Sequence, residues 1–180
     1  MSFNVTRGMK NLIAKSNVGI AEPPWQTIGD SVLTGGQTDY LGELKSTLMS
    51  SANGDYANRI ALNLTPGYRS LSYSIIAKAA ISSTFILRTY NTITTNTVTR
   101  VSFDLSAGTF AVLNGNGSIK LIADGWYICE TYFDNYVAVN DHQFSIYPPA
   151  GNGSLLIWRP VLCKGLVRDD YVETAEVPIT

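Results

Sequence analysis

A single histidine, His142, serves a chain of 180 residues, so Ser–His–acid or Cys–His catalysis would have to pass through it. It follows Asn140-Asp141 at the start of a strand-like run, the setting of a surface or turn histidine. Glu130, Asp134 and Asp141 are candidates by number for the two carboxylates that glycoside hydrolysis holds about 5 to 9 Å apart. Nothing in their spacing fixes a pair, and solvated acids on a sheet face account for them. Cys129 and Cys163 sit inside apolar runs with no Cys or His at ligand spacing, and both read as small buried hydrophobes. Asp104, Asp124, Asp169 and Asp170 form no spaced calcium loop. Gly115-Asn116-Gly117 lies between strands rather than ahead of a helix, so no phosphate cradle is written. The sequence predicts no catalytic residue, no metal and no cofactor.

The residues better suited to function lie on a face. Along Trp126–Phe133, alternation places Tyr127, Cys129, Thr131 and Phe133 on one side and Trp126, Ile128, Glu130 and Tyr132 on the other. The first set reads as core. The second sets flat apolar rings beside a carboxylate, the chemistry with which a surface holds a sugar. Arg88 and Tyr90, alternating with Leu87 and Thr89, would extend that surface. The same residue types suit a subunit interface, where Trp, Tyr and Arg are enriched, and the face could equally lie beneath residues 1–55. Trp158, beside Leu156 and Leu162, reads as core. Trp25, after Pro23-Pro24, reads either as a plug for the sandwich edge or as a docking anchor onto a partner.

The elements that must position these residues follow from composition and period. Apolar residues make up 45% and charged residues 15%, a globular profile sized for one domain. The net charge of −1 and the lack of a basic stripe argue against a nucleic-acid partner. No apolar run approaches the roughly 20 residues of a membrane span, and the first ten residues lack the apolar core of a secretory signal, so synthesis in the cytoplasm is expected. Residues 1–55 are broken by Gly and Pro, with one strand expected at Glu43–Met49. From Tyr56 the period becomes two, and strands are expected up to Leu155–Leu162. The connecting Ser106-Ala107-Gly108, Asn114-Gly115-Asn116-Gly117 and Asp124-Gly125 suit tight hairpins. About nine or ten short strands without a helical period predict an all-β antiparallel sandwich, preferably a jelly roll. The expected division is an N-terminal arm over 1–55, packed as a loop layer or used for attachment, and a sandwich over 56–180.

Four segments in order carry a family resemblance. Residues 71–79, Leu-Ser-Tyr-Ser-Ile-Ile-Ala-Lys-Ala, resemble the opening strand of the carbohydrate-binding-module-like jelly roll of bacteriophage virion proteins. Residues 100–108 are similar to its next strand and Asp–Gly turn, and Asp124-Gly125-Trp126-Tyr127 to its hairpin. Leu156–Leu162 with Lys164-Gly165 and Asp170–Thr174 resemble its closing strand and tail. Asn11-Leu12-Ile13 before Trp25 resembles its lead-in. Cys163 departs from the pattern, where an acidic residue is common, as does the arm before residue 55.

The resemblance implies a non-enzymatic virion structural protein: a capsid decoration, head-fibre or small tail-fibre subunit docked by its arm. Other virion proteins would then be its partners, with a homo-oligomer, a trimer by class, and no membrane insertion. The alternative is a carbohydrate-binding module for a host surface glycan, held on the Trp126, Glu130 and Tyr132 face. A glycan hydrolase is a remote third.

Overall fold

A computed structural model describes residues 20–21, 25–60, 70–92, 94–134, 142–151 and 153–164. Every regular element among them is a strand: β1 (Gln26–Thr27), β2 (Val32–Gln37), β3 (Ser46–Ser51), β4 (Ala57–Ile60), β5 (Ser70–Ala79), β6 (Thr84–Asn91), β7 (Asn96–Asp104), β8 (Thr109–Asn114), β9 (Asn116–Ala123), β10 (Trp126–Asp134), β11 (His142–Tyr147) and β12 (Gly153–Lys164). They form two six-stranded sheets. Sheet I runs β2-β3-β12-β5-β10-β9, and sheet II runs β1-β4-β11-β6-β7-β8. All the pairings are antiparallel. The all-β jelly-roll sandwich expected from the alternation is the architecture observed.

The core follows the period-two rule. Leu71, Tyr73, Ile75 and Ala77 of β5 and Leu155 and Ile157 of β12 face Phe85 and Leu87 of β6 and Phe144 and Ile146 of β11 in one buried cluster. Tyr73 meets Phe144 across the sheets at 5.3 Å between ring centroids, and Phe85 stacks on Phe103 at 5.2 Å. Burying a side chain of this size contributes roughly 1.5–3 kcal/mol, and this shared layer holds the two sheets together.

Two expectations change here. The stretch before residue 55 supplies β1, β2 and β3, with strands in both sheets, so the described part of the expected arm belongs to the sandwich. β2 lacked a sequence signal because Thr34-Gly35-Gly36 carries no alternating apolar residue, and its register slips between Thr34 and Gln37. Residues 1–19, the lead-in at 11–13 and the tail at 170–174 lie outside the described residues. Asn114-Gly115-Asn116 is no hairpin within one sheet: β8 pairs with β7 in sheet II and β9 with β10 in sheet I, so the chain changes sheets there. Gly115 takes φ +77° at this crossing, and a Cβ on it would stand 2.8 Å from the Thr99 side chain. The hairpins at Gly108 (φ +64°) and Gly125 (φ +70°) are where the sequence puts them. Trp25 is half-buried and packs against the sandwich's own core.

Candidate functional site

The expected contact residues fall on opposite faces of the sandwich. β10 lies in sheet I and β6 in sheet II, so Arg88 and Tyr90 do not extend the Trp126 surface.

On sheet I, the assignment of Cys129, Thr131 and Phe133 to the buried side holds. Burial also pushes the Cys129 thiol well above its ordinary pKa, leaving an inert neutral side chain. The other side of β10 is not an open aromatic surface, however. Trp126 is 4% exposed and Glu130 6%, with Ile128 and Tyr132 half-exposed. The Ser118 hydroxyl of β9 donates to Glu130 Oε2 at 3.0 Å. Trp158, set opposite Ile76 of β5, is fully buried yet outside the inter-sheet cluster. The register shift between Trp158 and Val161 returns Leu162 to the core while leaving Trp158 on the far face with Leu156. Tyr40, from the loop joining β2 to β3, meets the Trp158 ring edge-on at 5.0 Å and 71°. The Arg159 guanidinium sits 4.0 Å from the same ring's centroid. That loop is shaped by Asp39, whose Oδ1 accepts from the amides of Leu41 and Glu43 at 2.8 and 3.0 Å. The large rings of this face are packing elements.

Sheet II carries a different arrangement. Alternation on β6 and β11 turns Phe85, Leu87, Phe144 and Ile146 inward, which leaves Arg88, Tyr90 and Tyr147 on the outer side. The Arg88 guanidinium carbon lies 5.0 Å from the Tyr90 ring centroid, 5.0 Å from that of Tyr147 and 5.8 Å from that of Tyr56. Tyr56 and Tyr147 pack on each other with centroids 4.6 Å apart, tilted by 31°. Each cation–π contact of this kind is worth roughly 0.5–2 kcal/mol, rising with desolvation, so the guanidinium locks three half-exposed rings in place. Burial raises the Tyr147 hydroxyl pKa while Arg88 and Arg100 pull it back, and it remains a neutral donor and acceptor at pH 7. Beside Tyr147 opens a cleft of about 330 Å³ whose lining includes Ile86, Arg100, Ser102 and Pro148. A larger cleft of about 460 Å³ lies along β2 and β3 near Asp30, Leu48 and Ser154, but no aromatic ring or cation lines it.

Tyr56, Tyr147 and Arg100 were not legible as site residues. Tyr56 and Tyr147 come together because β11 inserts between β4 and β6, an adjacency of strands distant in sequence, whereas Arg100 comes beside Arg88 through the β6–β7 pairing. The one available signal was the outward phase of Tyr147 on β11, opposite to Phe144 and Ile146.

The remaining candidates for chemistry do not assemble. His142 is fully buried, stacked with Phe133 and Phe144 at 6.4 and 6.5 Å, instead of sitting at the surface. Asp104 caps its own turn by accepting from the Ser106 amide and hydroxyl, and Asp124 pairs with Lys78 at 3.1 Å. Asp141, Asp169 and Asp170 lie outside the described residues, as do the side chains of Asp134 and Cys163. Among the described residues no three His, Cys, Asp or Glu side chains gather as a metal site, and no helix is long and apolar enough to cross a membrane.

In fold, the two-sheet jelly roll is similar to carbohydrate-binding modules among solved structures. The chain is similar to the xylan-binding CBM22-1 domain of Paenibacillus barcinonensis Xyn10C, with a TM-score of 0.57 at 8% identity over 87% of this chain and 95% of that one. It is similar to the CBM22-1–GH10 modules of Clostridium thermocellum xylanase 10B, complexed with xylohexaose (TM-score 0.56, 12% identity, 86% of this chain). There it spans only 28% of the larger chain. It also resembles the enzymatically active domain of bacteriophage CBA120 tailspike protein 4 (TM-score 0.53, 11% identity), covering 85% of this chain and 21% of that one. At these identities the likeness is one of fold. No protein-family model and no curated protein matches the sequence.

Proposed function

We propose that this chain is a carbohydrate-binding module that holds a glycan on the outer face of sheet II and performs no reaction of its own. The observation that carries this reading is the group of Tyr56, Tyr90 and Tyr147 fixed around Arg88 beside an open cleft. Rings presented half-exposed and already rigid give a sugar apolar contact at little entropic cost, and Arg100, Ser102 and the Tyr147 hydroxyl give it hydrogen-bonding partners. The fold supports the reading, since jelly rolls of this shape include domains described as xylan-binding. The Trp126, Glu130 and Tyr132 face expected from the sequence is the weaker candidate, because two of its three side chains are buried. The test is retention of the purified chain on an array of plant, bacterial and host-type glycans. Binding to at least one glycan class, competed by the free oligosaccharide, is expected, and no retention on any class would overturn the reading.

A second reading sets the module on a bacteriophage particle as a decoration or fibre subunit, the setting that the sequence resemblance implies. One structural observation favours an assembling protein. Phe110, Val112 and Leu113 of β8 and Leu121 of β9 are all 41–59% exposed along the side where β8 and β9 edge the two sheets. Open strand edges with exposed apolar side chains are the features that oligomerisation covers. Light scattering of the purified chain is expected to give a multiple of its 19.6 kDa mass, a trimer by class. A monomer at high concentration would contradict this second reading and leave the first intact.

A further inference from the structure

The charge on the outer face of sheet II is unbalanced in a way that packing does not require. Arg88 of β6 stands directly opposite Arg100 of β7 in the ladder, so two guanidiniums share neighbouring outward positions. Such positions lie roughly 5 Å apart at Cβ, and like charges there repel. Natural sheets place opposite charges or neutral pairs at these sites. Here the six strands of sheet II contain one carboxylate, Asp104, at the far end of β7. It stands four residues from Arg100 and is occupied by the Ser106 amide and hydroxyl. The nearest acid in the adjoining loop, Asp55, accepts from the amide of Asp30 at 3.1 Å. Among the described residues neither Arg88 nor Arg100 has an acidic partner, and Arg88 Nε is buried without a hydrogen-bond acceptor.

The two cations are held differently. Arg88 is half-buried and clasped by three tyrosine rings, so its charge is fixed in the floor. Arg100 is exposed and lines the cleft beside Tyr147 and Ser102. A guanidinium binds a planar or tetrahedral anion through paired N–H donors, and it binds more strongly on a partly desolvated aromatic floor than in water. We infer that the glycan taken by this face is acidic, with carboxylate or sulfate groups that lie between Arg88 and Arg100 and relieve their repulsion. The inference rests on the glycan-binding reading and adds the chemical class of the ligand to it.

The test compares retention on polygalacturonate, alginate, polysialic acid and dextran sulfate with retention on methyl-esterified pectin, xylan and β-galactan. Wild type and Arg100→Gln are run together, since Arg100 is exposed and its substitution leaves the core untouched. Wild type is expected to be retained on one or more of the acidic polymers and not on the neutral set. Arg100→Gln should weaken that retention roughly tenfold or more, the effect of losing one charge-assisted contact, with an unchanged melting temperature. Raising salt from about 0.05 to about 0.5 M should weaken wild type more than the variant. Retention on neutral polymers alone, or acidic retention that Arg100→Gln does not weaken, overturns the charge inference and leaves glycan binding standing. No retention on either set overturns both.

Discussion

Replacing Trp158 with alanine is expected to destabilise the fold by about 3–5 kcal/mol, a large part of the roughly 5–15 kcal/mol available to a domain of this size. The indole is fully buried in the long β12, opposite Ile76 of the central β5. Its removal would leave a void on the outer face of sheet I and strip the edge-on contact of Tyr40 and the Arg159 guanidinium of their common partner. Arg159 adds a backbone reason: at φ +46° it occupies a conformation disfavoured for any residue with a Cβ. Such a conformation persists where the surrounding contacts impose it, and the stack on Trp158 is one of them. The midpoint and slope of urea unfolding measure the loss. A cost below about 1 kcal/mol would show that the ring is not integral to sheet I, and would reopen this face as a surface for ligands.

Tyr147→Ala is the second large effect, and it falls on binding. The ring lines the 330 Å³ cleft, packs on Tyr56 and lies 5.0 Å from the Arg88 guanidinium. Truncating it removes one sugar-facing ring and frees two of its neighbours. A loss of about 2 kcal/mol is expected, roughly thirtyfold in Kd, the size seen when an aromatic anchor is removed from a binding surface. Tyr147→Phe keeps the ring and the stack, and is expected to hold Kd within a few-fold. Titration calorimetry with the retained oligosaccharide separates the two. Equal affinity in wild type and Tyr147→Ala would remove this face from the account.

Alternation was enough to expect the run of strands from residue 56 onward and to put Cys129, Thr131 and Phe133 on the buried side. It tells which side of a strand a residue takes, but not whether that side is covered. Trp126 and Glu130 therefore read as a surface while the structure buries them. For Trp158 the visible cover is Tyr40, which comes from a loop that the sequence marks only by Gly42 and Asp39. Trp158 shows a second limit: the irregular register between it and Val161 reverses the phase, so Leu162 and Trp158 face opposite ways despite their spacing. The sheet II site was half-visible. Arg88 and Tyr90 were singled out by type, but attached to the wrong face, because nothing local says that β6 lies beside β11 rather than β10. Tyr56 and Tyr147 become neighbours only through that adjacency.

The claim that matters most is the location of binding, and a backbone amide NMR titration with a retained oligosaccharide tests it most directly. Shift changes concentrated at Tyr56, Arg88, Tyr90, Arg100 and Tyr147 are the predicted result. Changes centred instead on Trp126, Glu130 and Tyr132, with the sheet II residues unmoved, would contradict it.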